Sequence, residues 1–409
     1  MKKILIVLIN DYPYNKGEPF FENEIIALSK AFNYIYLFSV VGKENEKPTR
    51  NVPSNVLYYP LGCNHNRLKY ILKGIFSSDK KFNLNGKTNY RFFMSSYILG
   101  RNMEISKKIK AILDKQDLSK STFYIYSYWL TLGIASYKIQ QYLQRKTNTK
   151  IRTISRCHGY DTYSEVNKYN YQPFQSEVIG VLDNVYPCSE FGRKYLIDKY
   201  PEFKNKIVTS YLSSDNHGIG KYSFDAKKTK HFVTVAGFRP VKRMKLFAEA
   251  FVNLAKNRND VFWDSFGSGE EYEDVRRYIE NAGIIEKVKF YGNVSNSKIF
   301  DFYKKNEVYF FVNVSYSEGM PVSIMEAASF GIPIAATNVG GTSELVDNSN
   351  GVLINKDIDK NKLANVLDSI CHIDKEKYLG MRIKSREKWD AKFNSTNSLP
   401  LWLDELTKK

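Results

Sequence analysis

Short runs rich in β-branched and aromatic residues alternate with amphipathic helical patterns along this chain, twice over. In the first half, strands are expected at Lys3–Ile9, Tyr34–Val40, Thr122–Ser127, Ile151–Cys157, Val185–Cys188 and Ile207–Ser210. Helical patterns fall between several of them, as at Glu22–Ala31 and Glu190–Asp198. In the second half, strands are expected at His231–Ala236, Val261–Phe266, Val288–Tyr291, Val308–Val312, Ile332–Ala336 and Gly351–Ile354. Helices are expected at Met244–Lys256, Glu270–Ala282, Asn296–Lys305, Pro321–Phe330 and Asp359–Ile370. Such alternation builds parallel sheets covered by helices on both faces. The expected fold class is therefore α/β, with two Rossmann-like domains facing across a cleft. The polar stretch SSDNHGIGKYSFDAKKTK, residues 213–230, has no clear period and reads as the joint. The expected domains are 1–215, 216–385, and a C-terminal helical segment, 386–409, that packs back on the first.

A length of 409 residues suits two or three domains. The four cysteines are scattered without a CxxC pair, as expected of reduced thiols in a cytoplasmic protein. The opening KKILIVLIN resembles a signal peptide only superficially. Its apolar run ends at Ile9 with no small-residue cleavage site, so a buried first strand is expected. No stretch approaches the roughly 18 apolar residues that cross a bilayer.

The net charge of +18 is unevenly spread. Residues 51–150 carry 17 basic and 4 acidic side chains, a balance of +13. Such a patch suits a polyanion: an anionic membrane surface, a phosphorylated substrate or nucleic acid. Within it, Arg67, Lys69 and Lys73 interleave with Leu68, Tyr70, Ile71, Leu72, Ile75 and Phe76, and Arg91 precedes Phe92 and Phe93. That mixture fits an interfacial helix, with Ile71, Ile75 and Phe76 as inserting side chains, and equally a helix packed on its own domain with a charged outer face.

The densest chemistry lies in SYSEGMPVSIMEAASFGIPIAATNVGGTSEL, residues 315–345. Its first loop follows a strand, Gly319 permits a tight turn, and Pro321 suits the start of a helix. A helix N-terminus at a strand's carboxyl end is a natural phosphate site. Glu318 in the loop and Glu326 in the helix are carboxylates that can grip two ends of one elongated ligand. Pro321 and Glu326 are separated by roughly 7–8 Å along the axis. Both carboxylates would accept hydroxyl hydrogen bonds, as from a sugar and a ribose.

Glu318, seven residues, Glu326, then GIP and a GG-T-S-E turn: in this order the motif resembles the donor-binding signature of glycosyltransferase family 4. These are retaining enzymes of GT-B fold, many acting in bacterial surface polysaccharide synthesis. VTVAGFRPVKRMKLFAEAF (233–251) resembles the family's first strand and basic loop of the second domain. The resemblance implies that Lys242 binds the donor diphosphate, near Gly237. Arg239 and Arg243 are alternative helpers, because Phe238 stands where many relatives have arginine. FGSGE, with Gly267, resembles the next glycine turn. YGNVSNSKI, with Gly292 and Val294, resembles the loop against the nucleotide base. Gly319, Met320 and Pro321 belong to the donor loop. SRCHGYD (155–161) resembles a strand-end motif whose histidine, here His158, faces the donor sugar, with Asp161 expected to hold the turn. NDYPYNKGEPFFENEI (10–25) resembles the first glycine loop, with Gly17 toward the donor. The catalytic residues implied are His158, Glu318 and Lys242.

The reaction implied moves a sugar from a nucleotide diphosphate sugar, by default a UDP-sugar, to a glycan or lipid-linked acceptor. No metal or other cofactor is expected. Asp357-Ile358-Asp359 reads as a helix cap rather than a metal motif. Tyr126-Ser127-Tyr128-Trp129 is a candidate acceptor lining. The expected place is the cytoplasm, at the inner face of the cell membrane. The alternatives are a nucleic-acid-binding protein, for which no reader motif is present, and a sugar-nucleotide-binding protein without transferase activity.

Overall fold

A computed structural model describes residues 2–14, 17–43, 46–63, 66–84, 88–222 and 228–408. The chain divides into two compact units. One comprises residues 1–211 with 399–409, the other residues 212–398.

The first unit contains β1 (Lys2–Ile9), α1 (Phe21–Ala31), β2 (Tyr34–Ser39), β3 (Val56–Pro60), α2 (Arg67–Ile75) and α3 (Asn89–Leu113). Then follow β4 (Ser121–Ser127), α4 (Gly133–Thr147), β5 (Arg152–Cys157), α5 (Gly159–Thr162), α6 (Gln175–Val181), β6 (Asn184–Pro187) and α7 (Glu190–Lys199). Its six strands form one sheet in the order β3-β2-β1-β4-β5-β6, all parallel. Alternate residues of β1 feed opposite faces. Ile4, Ile6 and Leu8 join one core cluster, and Leu5, Val7 and Ile9 the other. A strand apolar on both faces reads as a continuous run, which is why KKILIVLI is uninterrupted.

The second unit contains β7 (Lys230–Val235), α8 (Met244–Asn257), β8 (Val261–Phe266), α9 (Tyr272–Asn281), β9 (Val288–Gly292) and α10 (Asn296–Lys305). It continues with β10 (Phe310–Asn313), α11 (Val322–Ser329), β11 (Ile334–Thr337), β12 (Gly351–Ile354), α12 (Lys360–Cys371), α13 (Lys375–Lys392) and α14 (Ser395–Thr407), whose end returns to the first unit. The strand order is β12-β11-β10-β7-β8-β9, again parallel. Asp359 caps α12 by accepting from the Asn361 and Lys362 amides, both at 2.9 Å.

Four expectations change. Ile207–Ser210 is not a strand: only an isolated bridge joins Val185 to Ile207. Edge strand β3 has exposed side chains among its residues, so no apolar alternation announces it. The segment expected as a joint is fastened to α13 within the second unit. Trp389 Nε1 donates to Ser214 Oγ at 2.8 Å, and Arg386 Nη2 to Asn216 Oδ1 at 2.7 Å. Residues 223–227 of that segment lie outside the described residues. The break expected at 385/386 falls inside α13, and the return to the first unit starts only at Leu399.

That return is anchored by Trp402. Its Nε1 donates to Glu24 Oε1 at 2.7 Å, and the Arg156 guanidinium lies 3.9 Å from its ring centroid. Arg156 and Glu24 are both buried and form an ion pair at 3.3 Å. Tyr126 is also buried here, 5.3 Å from Trp402, so it belongs to the core and lines no acceptor site.

The basic segment also differs from expectation. Lys69 and Lys73 of α2 both pair with Glu104 of α3. Ile71 and Ile75 are partly buried, while Leu68, Leu72 and Phe76 point outward at 67%, 47% and 83% exposure. Their spacing of four residues puts all three on one helical face.

Candidate functional site

The second unit assembles its candidate groups at the carboxyl ends of parallel strands, where ligands of such sheets bind. β10 ends at Asn313, and the chain turns through residues 314–321 into α11. Pro321 is the N-cap, so the helix begins one residue later than expected. Gly319 lies in the turn, and Met320 is buried beneath it. The pressure of the next turn on this loop requires a glycine. Gly340 has φ +53, and a Cβ there would lie 1.9 Å from the Glu318 carbonyl oxygen. Beside it the Gly341 amide donates to Gly319 O at 2.8 Å.

Glu318 and Lys242 meet. Lys242 closes the short turn Pro240–Lys242 after β7, and its Nζ lies 2.7 Å from Glu318 Oε1. Asn313 Nδ2 donates to the same oxygen at 3.3 Å. Both side chains are partly buried, so the pair is shielded more than a surface ion pair.

Arg243 is held by backbone carbonyls. Its guanidinium donates to the carbonyls of Val314 at 2.6 Å, Lys356 at 2.6 Å and Ser315 at 3.4 Å. Burial lowers its pKa. It ties the donor loop to the turn that carries Lys242 and is committed to the fold. Arg239 is exposed and forms no ion pair among the described residues.

Glu326 projects from the second turn of α11 and is 8% exposed. Asn296 Nδ2 donates to its Oε1 at 3.4 Å. Burial pushes its carboxyl up to about 8. At neutral pH it is mostly the uncharged acid, and hydrogen-bond donors would favour its ionised form. The neighbouring Tyr303 hydroxyl is buried and has no partner among the described residues.

Three glycine turns close the other side. Gly267 has φ +127, and a Cβ would lie 1.9 Å from the Ala236 carbonyl oxygen, so its turn presses on the end of β7 beside Gly237. The Gly267 amide donates to Gly292 O at 2.8 Å, which links the ends of β8 and β9. Val294 follows in the loop before α10, partly buried. Among the described residues, no group of three or more His, Cys, Asp or Glu side chains is arranged to hold a metal ion.

In the first unit, His158 follows β5. Its Nε2 lies 3.0 Å from the Tyr128 carbonyl oxygen. The rings of Tyr128 and Trp129 lie 4.7 and 4.6 Å from the imidazole. Burial, helped by the Arg156 guanidinium, pushes its pKa down to about 3, so it is neutral at pH 7. Asp161 accepts from the amides of His158 and Leu130, both at 2.6 Å, and holds the turn. Burial raises its carboxyl to about 7 against those bonds.

The glycine loop of this unit departs from expectation. Gly17 has Asp11 Oδ2 2.3 Å from where a Cβ would stand. The donors after β1 are already engaged by the next residue. Glu18 accepts from the amides of Asn10 at 3.0 Å, Asp11 at 2.8 Å and Tyr12 at 2.9 Å. Trp129 Nε1 adds a fourth bond at 2.5 Å. A carboxylate thus fills the nest of N–H groups in the loop expected to face the donor. The sequence signal for it was an acidic residue directly after the loop's glycine.

Residues 221–389 match the family model described as glycosyl transferases group 1. The UDP-N-acetylglucosamine–peptide N-acetylglucosaminyltransferase GtfA subunit of Streptococcus agalactiae is 23% identical over 230 residues, 54% of this chain and 44% of that protein. The chain thus spans less than half the length of the first curated relatives it matches. Among solved structures, the apo lipopolysaccharide outer core galactosyltransferase WaaB superposes with a TM-score of 0.69 at 14% identity, over 98% of both chains. Pneumococcal O-GlcNAc transferase GtfA, in complex with UDP and GlcNAc, superposes with a TM-score of 0.61 at 19% identity, over 76% of this chain and 61% of that one. Residues 221–389 thus resemble glycosyl transferases group 1, and the two Rossmann-like domains have the GT-B fold.

Proposed function

We propose that the chain is a glycosyltransferase that moves a sugar from a nucleotide diphosphate sugar to a hydroxyl of a glycan or lipid-linked oligosaccharide. The observation that carries this reading is the Lys242–Glu318 pair beside the buried, under-paired Glu326 on one loop–helix. A diphosphate entering the site exchanges with Glu318 for Lys242. Glu318 is then free to accept sugar hydroxyls, while Glu326 accepts those of the ribose. Lys242, with Arg239, stabilises the charge that develops on the leaving diphosphate. The family resemblance assigns neutral His158 to the donor sugar. A UDP-sugar is favoured because the similar pneumococcal transferase binds UDP. Retention of configuration, independence of a metal and a role in surface polysaccharide synthesis rest on the family resemblance. The test is a thermal-shift titration with UDP and UDP-sugars, since a ligand of the native state raises stability by RT ln(1 + [L]/Kd). No shift with any nucleoside diphosphate or its sugars overturns the reading.

The same proposal puts the protein at the inner face of the cell membrane, on the outward face of α2. Leu68, Leu72 and Phe76 insert, and the basic excess of residues 51–150 around them meets anionic headgroups at about 1 kcal/mol per cation. Among the described residues no helix is long and apolar enough to cross a membrane. Co-sedimentation with vesicles of 30% anionic lipid should fall with salt and with Leu72→Ser/Phe76→Ser. Equal partitioning to neutral vesicles removes the electrostatic anchor.

A further inference from the structure

We propose that the face of α3 from Tyr90 to Arg101 is the acceptor site, and that it takes sugar rings joined to an anionic group. The inference rests on the transferase reading and names that enzyme's acceptor class.

Tyr90, Met94, Tyr97 and Arg101 are spaced by four, three and four residues, so they form one stripe along α3. The stripe leads to the carboxyl end of β1, where Arg101 Nη2 donates to Asn10 Oδ1 at 3.4 Å. The segment after β5 lies along it. Tyr169 meets Tyr90 at 4.7 Å between ring centroids, and Tyr171 OH lies 2.6 Å from Ser95 Oγ. Burial, with Asp161, Tyr90 and Tyr97 nearby, raises the pKa of the Tyr160 hydroxyl, two residues past His158. Tyr160 and Tyr169 are 59% and 60% exposed, unusual for large rings with neighbours of their own kind. Tyr169 and Asn170 both hold left-handed backbone, at φ 60° and 49°. Strain in consecutive non-glycine residues is kept where a side chain must be aimed. Aromatic faces with polar edges bind sugar rings, whose C–H faces stack on them while the hydroxyls hydrogen-bond.

The charges supply the second half. Arg67 lies 5.7 Å from the Tyr97 ring, and Arg91 lies 5.0 Å from the Tyr171 ring. Neither these two nor Arg101 forms an ion pair among the described residues, although Lys69 and Lys73 close by are both neutralised by Glu104. Two unneutralised guanidiniums held against aromatic rings, with Arg101 at the end of the stripe held by Cys63 O at 3.3 Å and Asn10 Oδ1 at 3.4 Å, offer forked donors suited to phosphate or carboxylate. From Arg91 to Arg101 the helix rises roughly 15 Å, which suits an acceptor longer than one ring.

Calorimetry on the full chain compares three probes: a short-chain prenyl diphosphate bearing N-acetylglucosamine, a disaccharide containing glucuronic acid, and the matching neutral disaccharide. One of the two anionic probes should bind at least tenfold tighter than the neutral one, and which one it is separates a lipid diphosphate from an acidic glycan. Arg91→Gln and Tyr160→Ala should each weaken that probe at least fivefold and leave the thermal shift with UDP unchanged. Equal binding of all three probes, or anionic binding untouched by both variants, overturns the proposal. A missing UDP shift in the parent chain overturns the transferase reading instead, and the probe titrations read out independently of it.

Discussion

Glu326 makes donor binding depend on pH in a direction fixed by its surroundings. Its pKa of about 8 in the free protein reflects burial beside few donors. Ribose hydroxyls that donate to the carboxylate favour the ionised form, so binding is linked to loss of a proton. For a pKa of 8, the ionised fraction rises from about 3% at pH 6.5 to about 76% at pH 8.5, and affinity should rise about 25-fold, or ~2 kcal/mol. The ligand should be a UDP-sugar, whose diphosphate diester does not titrate in this window. Isothermal titration in two buffers of different ionisation enthalpy reads both the affinity and the proton released. Glu326→Gln should flatten the profile and remove the released proton. The same group acts on folding. A carboxyl raised in the native state binds its proton more tightly there than in the unfolded chain. Its contribution to stability is therefore lost as pH rises from about 4.5 to about 8. Glu326→Gln should then melt above the parent at pH 8.5, and the gap should close toward pH 4.5. A flat affinity from pH 6.5 to 8.5, with no proton exchanged, refutes the reasoning.

Lys242→Ala should reduce turnover by about 10²-fold with the fold intact, because developing diphosphate charge loses its cation. Near-normal turnover would transfer the role to Arg239. Arg243→Ala should instead destabilise the fold by about 3 kcal/mol, as buried carbonyls lose charged donors; denaturant unfolding measures it, and an unchanged midpoint contradicts the anchoring role. Glu18→Ala should lower stability by roughly 3 kcal/mol or more, since four donors lose their acceptor. A large gain in UDP affinity without destabilisation would mean that the loop is a phosphate site after all. Activity should persist in excess EDTA, and loss restored by Mg²⁺ or Mn²⁺ would reverse the expectation of metal independence.

How legible each feature was follows from the distance over which it is encoded. The strand–helix alternation is local, and strands such as β1 and β8 lie within a residue or so of where apolar runs put them. The loop carrying Glu318 and the helix carrying Glu326 were legible because glycine, proline and both carboxylates fall within a dozen residues. The carbonyl contacts of Arg243 were not legible because its partners lie 71 to 113 residues away. Glu18 was missed for another reason. An acidic residue in a turn is usually solvated, and only the folded loop shows three amides converging on it. The outward set Leu68, Leu72 and Phe76 is separated from Ile71 and Ile75 by rotation about the helix axis, which only the contact with α3 fixes.

The return of Leu399–Lys409 to the first unit has a consequence for how the protein is made. On the ribosome, the second unit is one unbroken stretch, and nothing later in the chain is needed to complete it. The first unit is discontinuous. Its sheet emerges early, but Trp402, which covers the buried Arg156–Glu24 pair, arrives about 190 residues after Tyr211. The half translated first is thus finished last, and until then a charged pair and the aromatic surface of Tyr126 and Tyr186 stand uncovered. A nascent chain stalled short of residue 399 should hold a folded second unit and an open first one, reversing the usual order of vectorial folding.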